Sequence, residues 1–498
     1  MFSPSLDEVK EIAKDKQYKR IPISYELFSD IATPIEVLRI LKGISRHCYM
    51  LESIEDAENW GRYSFLGFNP LLEFTCQNGE VQIKGDVNFT EFNEDTITIK
   101  TDNPSEIIRD LIEKNKSPKL ENLPPFTGGF VGYFAYDYIK YAEPSLTLDA
   151  ENQDQFKDID IMLFDNVIAF DNFRQKIIII SNMKTDDLEK NYKIACKHLK
   201  TIAYLIMKGK KPNIHHLKLK SGFRPVFSRE KYCDMVNKAK EYIKQGDIFQ
   251  VVLSNRIEAK IEGSLFDTYR VLRTTNPSPY MFYFSSDDIE IAGASPETLV
   301  KVKNGNLYTF PLAGTRPRGK TDEEDLALEK ELLADEKELA EHNMLVDLGR
   351  NDIGRIAEIG SVSVDKYLSV ERFSHVMHIG STVSGKLKNN LDALAALDSI
   401  LPAGTLSGAP KIRACEIINE LEDNKRGIYG GAIGYIDLSG NLDTCISIRI
   451  AFARNNKVFI RSGAGIVADS VPDTEFDESL NKAAAVINAL KIADGGLK

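Results

Sequence analysis

The sequence predicts an α+β protein in which large sheets carry packed helices, and three observations lead there. Asn-Gly pairs that suit tight hairpins sit between strand-like runs, strand and helix patterns are mixed in both halves, and one glycine-rich strand pattern recurs.

Along the chain, Asn78-Gly79 lies between Leu71–Gln77 and Glu80–Lys84, the first hairpin signature. Gly128-Gly129-Phe130-Val131-Gly132-Tyr133 is echoed by Gly430-Gly431-Ala432-Ile433-Gly434-Tyr435, which suggests two related sheet elements. The stretch Lys208 to Gly222 carries Lys, Pro and His215-His216 with little apolar periodicity. It reads as a linker with a solvated His pair, dividing the chain into residues 1–214 and 215–498. Asn304-Gly305, between Leu299–Lys303 and Asn306–Phe310, is a type I′ turn because both central residues need φ > 0. Extending its register sets Glu297 opposite Leu312, beside Ala313-Gly314-Thr315. A carboxylate at a glycine-containing turn is a candidate acid/base group, and a helix or strand cap is the structural alternative.

Asp322 to Gly349 is acidic, with Leu328, Leu332 and Leu339 at helical spacing, so most of its carboxylates read as a solvated face. Two further hairpins turn near Ser439-Gly440-Asn441 and Asn455-Asn456. In the strand they share, Ile446, Ile448 and Ile450 alternate with Ser447, Arg449 and Ala451, which sends Arg449 to the face opposite the isoleucines. Counting across both turns brings Arg449 level with Tyr429–Ala432 on one side and Ser462-Gly463 on the other. This meander gathers Tyr429, Arg449 and Gly463-Ala464-Gly465. An arginine fork beside close-approach amides suits a carboxylate or phosphate, whereas the glycines alone would mark only a bulge. Asp473 to Glu478 opens a last helix running through Lys482 to Leu490, and its early acids also suit a helix N-terminus.

Composition narrows the classes. With 498 residues, 43% hydrophobic and 28% charged, the chain is an ordinary globular protein of two domains rather than one. A net charge of −11 argues against a nucleic-acid binder. Six scattered cysteines without a C-x-x-C pair read as buried, reduced thiols. No apolar signal core or membrane-length run is present, which reads as cytoplasmic. Magnesium takes one or two carboxylates plus waters and a substrate oxygen, so one glutamate from each acidic helix would make such a site; composition does not choose which. Zinc finds no H-E-x-x-H, and His375-Val376-Met377-His378 lacks accompanying ligands.

Four long motifs then occur in order. They are Pro311-Leu312-Ala313-Gly314-Thr315-Arg316-Pro317-Arg318-Gly319, the run Glu341-His342-Asn343-Met344-Leu345-Val346-Asp347-Leu348-Gly349-Arg350-Asn351-Asp352, Gly404-Thr405-Leu406-Ser407-Gly408-Ala409-Pro410-Lys411, and Ser462-Gly463-Ala464-Gly465-Ile466-Val467. Together they resemble the chorismate-utilising enzymes from about Phe223 to the C-terminus. The first half matches more loosely, through Leu51-Glu52-Ser53 and Gly128 to Asp137.

The resemblance implies a layered sandwich of two large, mostly antiparallel sheets enclosing helices. It also separates chemistries at two positions. Isochorismate- and salicylate-forming members carry a lysine base where this chain has Gln250, and aminodeoxychorismate synthases often carry a nucleophilic lysine where it has Ala313. Both differences favour the branch that converts chorismate and ammonia to anthranilate and pyruvate. Carried over by motif, Glu341 and Glu478 would hold Mg²⁺. Tyr429, Arg449 and Gly463, Ala464 and Gly465 would bind substrate, with Gly314 and Thr315 on the other side and Lys482 adding positive charge. Glu297 would protonate the departing C4 hydroxyl, and His378 with Thr405 would assist the loss of pyruvate. Ammonia would come from a glutamine amidotransferase subunit, giving a hetero-oligomer. Ser53, with Leu51 and Glu52, and Pro279-Tyr280-Met281 resemble a tryptophan inhibitor site; a rigid turn is the structural alternative for the Pro-rich stretch. The rival readings are an aminodeoxychorismate synthase and a non-catalytic amino-acid sensor on the same fold.

Overall fold

The computed structural model describes residues 2–53, 61–85, 96–372 and 376–497. Its hairpins form where the Asn residues and glycines accept a left-handed backbone. Asn78 (φ 50°) and Gly79 (φ 77°) join Leu72–Gln77 to Glu80–Gly85, and Asn304 (φ 55°) and Gly305 (φ 76°) join Thr298–Lys303 to Asn306–Thr309. Asn455 (φ 51°) and Asn456 (φ 58°) close the same kind of turn between Ile450–Arg454 and Lys457–Ile466.

Among the described residues the strands assemble into two sheets, of 14 and 12 strands, whose neighbours run antiparallel. The first runs through Arg20–Phe28, Lys176–Lys184, Asn166–Asp171, Tyr63–Phe68, Cys48–Glu52, Tyr280–Ser285, Glu290–Ser295, Ile450–Arg454, Lys457–Ile466 and Gln250–Glu262. The second runs through Leu312–Pro317, Val376–Lys386, Asn306–Thr309, Thr298–Lys303, Leu442–Ile446, Ala432–Asp437, Gly129–Phe134, Ile159–Phe164 and Leu72–Gln77. Strands from both sides of residue 215 pair in both sheets: Met281 lies opposite Glu52 in the first and Gly434 opposite Gly132 in the second. The recurring glycine pattern is thus a pair of adjacent strands. A Cβ on Gly132 or Gly434 would lie 2.1 Å from a carbonyl oxygen of the neighbouring strand, so both positions require glycine.

Layering follows from period-two burial. Ile178 and Ile180 pack in the cluster shared by the two sheets, with Val131, Tyr133, Phe282 and Tyr435, while Ile177 and Ile179 pack with helix residues such as Leu199 and Ile202. Each such side chain contributes about 1.5–3 kcal/mol on burial. The layered sandwich of antiparallel sheets is as expected. The space between the sheets is filled by their own side chains, and helices such as Leu188–Lys208 and Ala393–Ile400 pack on the outer faces.

The presumed linker is partly structured. Leu188–Lys208 is helix, and beyond it Lys218–Leu219 and Arg224–Pro225 pair with Gln250–Glu262. His216 is not a free loop residue: its Nδ1 lies 2.7 Å from Asp267. The acidic stretch is two helices, Asp322–Ala334 and Glu336–Gly354, because Asp335 leaves helical geometry and caps the second, accepting from the Lys337 and Glu338 amides. All six cysteines are free, and four are buried. No helix among the described residues is long and apolar enough to cross a membrane.

Candidate functional site

Two short segments pass from one sheet to the other, side by side. Residues 296–297 link Glu290–Ser295 of the first sheet to Thr298–Lys303 of the second, and residues 447–449 link Leu442–Ile446 of the second to Ile450–Arg454 of the first. They are stitched together: the Ile446 amide donates to the Glu297 carbonyl (2.9 Å), Ser295 Oγ donates to the Ile446 carbonyl (2.7 Å), and the Ala294 amide donates to the Arg449 carbonyl (3.2 Å). Arg449 turns this corner at φ 52°, a conformation costing a non-glycine residue about 1–3 kcal/mol.

This corrects two expectations. The presumed single strand from Ile446 to Ala451 is broken, so alternation fails there and Ile448 and Arg449 line the same cavity. Glu297 is not paired with Leu312 either, because the Asn304-Gly305 ladder ends at Lys301–Tyr308 and Leu312–Pro317 pairs with Val376–Lys386 instead. Both residues nevertheless border one cavity of about 860 Å³.

Both crossings, several strands and two helices wall that cavity. The crossings give Glu297 and Arg449; Leu312–Pro317 and Val376–Lys386 give Gly314, Thr315 and His378; the 3₁₀ turn Gly404–Leu406 gives Thr405. Helix Glu336–Gly354 gives Glu341, helix Pro472–Ala493 gives Glu478 and Lys482, and strand Lys457–Ile466 gives Gly463 and Gly465. Tyr429, Gln250 and Ala313 line it as well. Ala464 does not; its methyl packs behind the strand with Val251 and Leu253. A Cβ at Gly463 would meet the Leu253 carbonyl oxygen at 2.3 Å, and one at Gly465 would meet Gln250 Nε2 at 2.8 Å. His375 lies outside the described residues.

The electrostatics divide the cavity. Burial pushes the Glu297 carboxyl up to about 7, against the pull of the Thr405 hydroxyl, which donates to Oε1 at 3.0 Å, and of Arg449 and Lys482. It therefore holds its proton near neutrality, as a general acid must. Burial also lowers the His378 pKa, so the ring is neutral. Its Nδ1 donates to the Gly314 carbonyl at 2.8 Å, which leaves the lone pair on Nε2. Among the described residues no hydrogen bond or ion pair engages the Arg449 guanidinium, and its burial is opposed only by Glu297. A largely buried cation in that position suits an anionic ligand.

Along another part of the wall, supplied by the two helices, carboxylates accumulate. Glu341 is raised by burial and then by the neighbouring Glu338 charge, with Glu478 adding to it; Glu475 is raised by burial and by Glu478. Lys482 pairs with Glu478 at 2.7 Å. Glu475 was missed in the sequence, although its i, i+3, i+7 spacing with Glu478 and Lys482 places all three on one helix face. Arg229 binds Asp473 (3.1 Å) and Asp477, so these other early acids are structural.

A buried charge network absent from the sequence reading reaches the cavity through Arg461. Glu422 receives Arg426 and Arg461, each at 2.6 Å, and the Ser254 amide at 2.7 Å. Burial alone would raise the Glu422 carboxyl, but the two arginines hold it low. Arg426 also donates to the carbonyls of Leu406 and Val252, both at 2.6 Å, fixing the turn that carries Thr405.

A second, smaller cavity of about 110 Å³ lies between the sheets and gathers Leu51, Glu52, Ser53, Pro279, Tyr280 and Met281 with Tyr435, Asp443 and Cys445. Strand pairing of Glu52 with Met281 brings the two sequence segments together. The Ser53 hydroxyl is buried and has no partner among the described residues. Glu52 points away, bound by Tyr269 (2.6 Å) and Arg273 (2.9 Å). Elsewhere, His47, Glu73 and Asp287 approach closely enough to share a cation, but Lys84 already pairs with Asp287.

The family described as chorismate binding enzyme matches residues 46–488. The anthranilate synthase component 1 of Acetivibrio thermocellus is 46% identical over 99% of both chains, and that of Aquifex aeolicus 44% identical over 98% of both. The crystal structure of anthranilate synthase component I from Streptococcus pneumoniae TIGR4 superposes with a TM-score of 0.74 at 39% identity, covering 92% of this chain and 98% of its own. The menaquinone-specific isochorismate synthase from Escherichia coli, at 18% identity and a TM-score of 0.69 over 97% of this chain and 98% of its own, shares the fold.

Proposed function

The chain belongs to the chorismate binding enzyme family, and from that premise we propose that it joins chorismate and ammonia to give anthranilate, pyruvate and water, supplying the synthase step of tryptophan biosynthesis. The observation that carries this reading is Glu297, a carboxyl that keeps its proton up to about pH 7 in a cavity it shares with Arg449. Gln250 and Ala313 line that cavity where other branches place lysines, so ammonia itself is the nucleophile at C2.

Arg449, Tyr429 and the Gly463–Gly465 backbone bind the substrate carboxylate and ring oxygens, and Gly314 and Thr315 close the other side. Glu297 gives its proton to the C4 hydroxyl, which departs as water while ammonia adds. Neutral His378, with Thr405, then assists the loss of pyruvate that leaves the ring aromatic. Glu341 and Glu478 would hold Mg²⁺; the support is the accumulation of carboxylates that raises Glu341, a charge a divalent cation would offset. The bound ion supplies charge to polarise the ring carboxylate.

Every residue lining the large cavity falls between Phe249 and Val486, whereas the small one draws Leu51–Ser53, Tyr63, Phe65 and Pro125 from the earlier part of the chain. That supports residues 215–498 as the catalytic region, with 1–214 contributing inhibitor elements that complete the small cavity beside Pro279–Phe282. Tryptophan is the proposed occupant of the small cavity, and a glutamine amidotransferase subunit the proposed source of ammonia. The test is fluorescence-detected anthranilate formation from chorismate, ammonium ion and Mg²⁺, with and without tryptophan. Magnesium-dependent product suppressed by tryptophan is expected. A 4-amino product, or binding without turnover, would overturn the assignment.

A further inference from the structure

We propose that Thr298 is the positioning residue through which the small cavity acts on Glu297; this rests on the tryptophan reading above. Glu297 and Thr298 are successive residues at the sheet crossing, and they serve different cavities. Glu297 lines the large one. Thr298, itself buried and lining neither, holds Tyr280 of the small one: the hydroxyl oxygens are 3.0 Å apart. Tyr280 donates to Asp443 Oδ1 at 2.8 Å, so Thr298 donates to the Tyr280 oxygen.

Three further contacts make the link mechanical. Thr298 pairs with Cys445, a lining residue of the small cavity, and the next amide, Ile446, donates to the Glu297 carbonyl at 2.9 Å. The ladder shifts register between Thr298 and Val300, which sets this paired end apart from the regular strand beyond it. The same stitching reaches Arg449 through the Ala294 amide. An occupant that displaces Tyr280 therefore moves Thr298, and with it the carboxyl one residue away. Inhibition arises as a difference in ligand affinity between two positions of the crossing, and tryptophan and chorismate oppose each other reciprocally.

The test separates tryptophan binding from tryptophan action. Thr298→Val keeps shape and removes the hydroxyl. We expect tryptophan affinity by equilibrium dialysis without substrate to stay within about twofold, while the factor by which saturating tryptophan lowers kcat/KM shrinks about fivefold or more, the scale of one hydrogen bond. Thr298→Ser should restore full inhibition. If Thr298→Val fails to fold, Thr298→Ala carries the same expectations. Full inhibition in the hydroxyl-free variant, or loss of tryptophan binding with it, would overturn the positioning role. A wild-type enzyme that does not bind tryptophan would instead take down the inhibitor reading, and this proposal with it.

Discussion

The two cavities share no lining residue and differ in almost everything else. The large one is lined with charge: a protonated glutamate, an arginine whose guanidinium has no hydrogen-bond or ion-pair partner among the described residues, and a bank of carboxylates. The small one is lined largely by apolar and aromatic side chains and closed by strand pairing between distant parts of the chain. A reaction that moves protons needs groups whose pKa values are set apart, whereas a site that only binds needs shape and a few hydrogen bonds.

The sharpest break of that contrast lies at Glu297. Glu297→Gln should lower kcat about 10²–10⁴-fold with chorismate KM little changed, measured by steady-state anthranilate formation. In the wild type, kcat/KM should fall as pH rises through about 7, because the donor form of Glu297 is lost there. It should also fall on the acid side, where His378 gains a proton; since burial lowers that pKa, the acid limb should lie below 6.5. A flat profile across neutrality would remove Glu297 as the acid.

The next effect is on stability. Glu422→Gln leaves Arg426 and Arg461 buried with one neutral partner, and should cost about 3–5 kcal/mol in denaturant unfolding. Because the Glu422 pKa is depressed in the fold, its contribution is present above the ordinary carboxyl range and is lost as pH falls through the folded value. The deficit of the variant should therefore narrow in acid.

Arg449→Met should raise chorismate KM about 10–100-fold, the scale of lost charge-assisted hydrogen bonds, and leave tryptophan affinity unchanged in direct binding. A similar loss of tryptophan affinity would merge the two sites into one. The smallest effect belongs to the small cavity: Ser53→Ala should weaken tryptophan about fivefold by calorimetry, one hydrogen bond's worth.

Legibility followed the locality of the signal. The Asn-Gly hairpins were read correctly because two positive-φ residues in sequence leave few alternatives. The residues proposed for the site, Glu297, Glu341, His378, Thr405, Tyr429, Arg449, Glu478 and Lys482, all reach one cavity. Register counting failed where strands change sheets: period-two reasoning assumes one continuous strand, and the corners at residues 296–297 and 447–449 break it. Glu475 was overlooked because an acid in a helix's first turn already has a structural explanation. The Glu422–Arg426–Arg461 network could not be seen, since its members are brought together only by folding.

The turns, the alternating burial that makes sheets with helices against them, and the identity of the groups available for chemistry are legible along the chain. These are consequences of backbone sterics and local periodicity. Folding in three dimensions is what sets Glu297 and Arg449 on neighbouring crossings, brings Glu52 to Met281, and makes Glu297 dry enough to keep its proton. Burial and proximity depend on residues hundreds of positions apart, and a pKa is fixed by what surrounds a carboxyl in space.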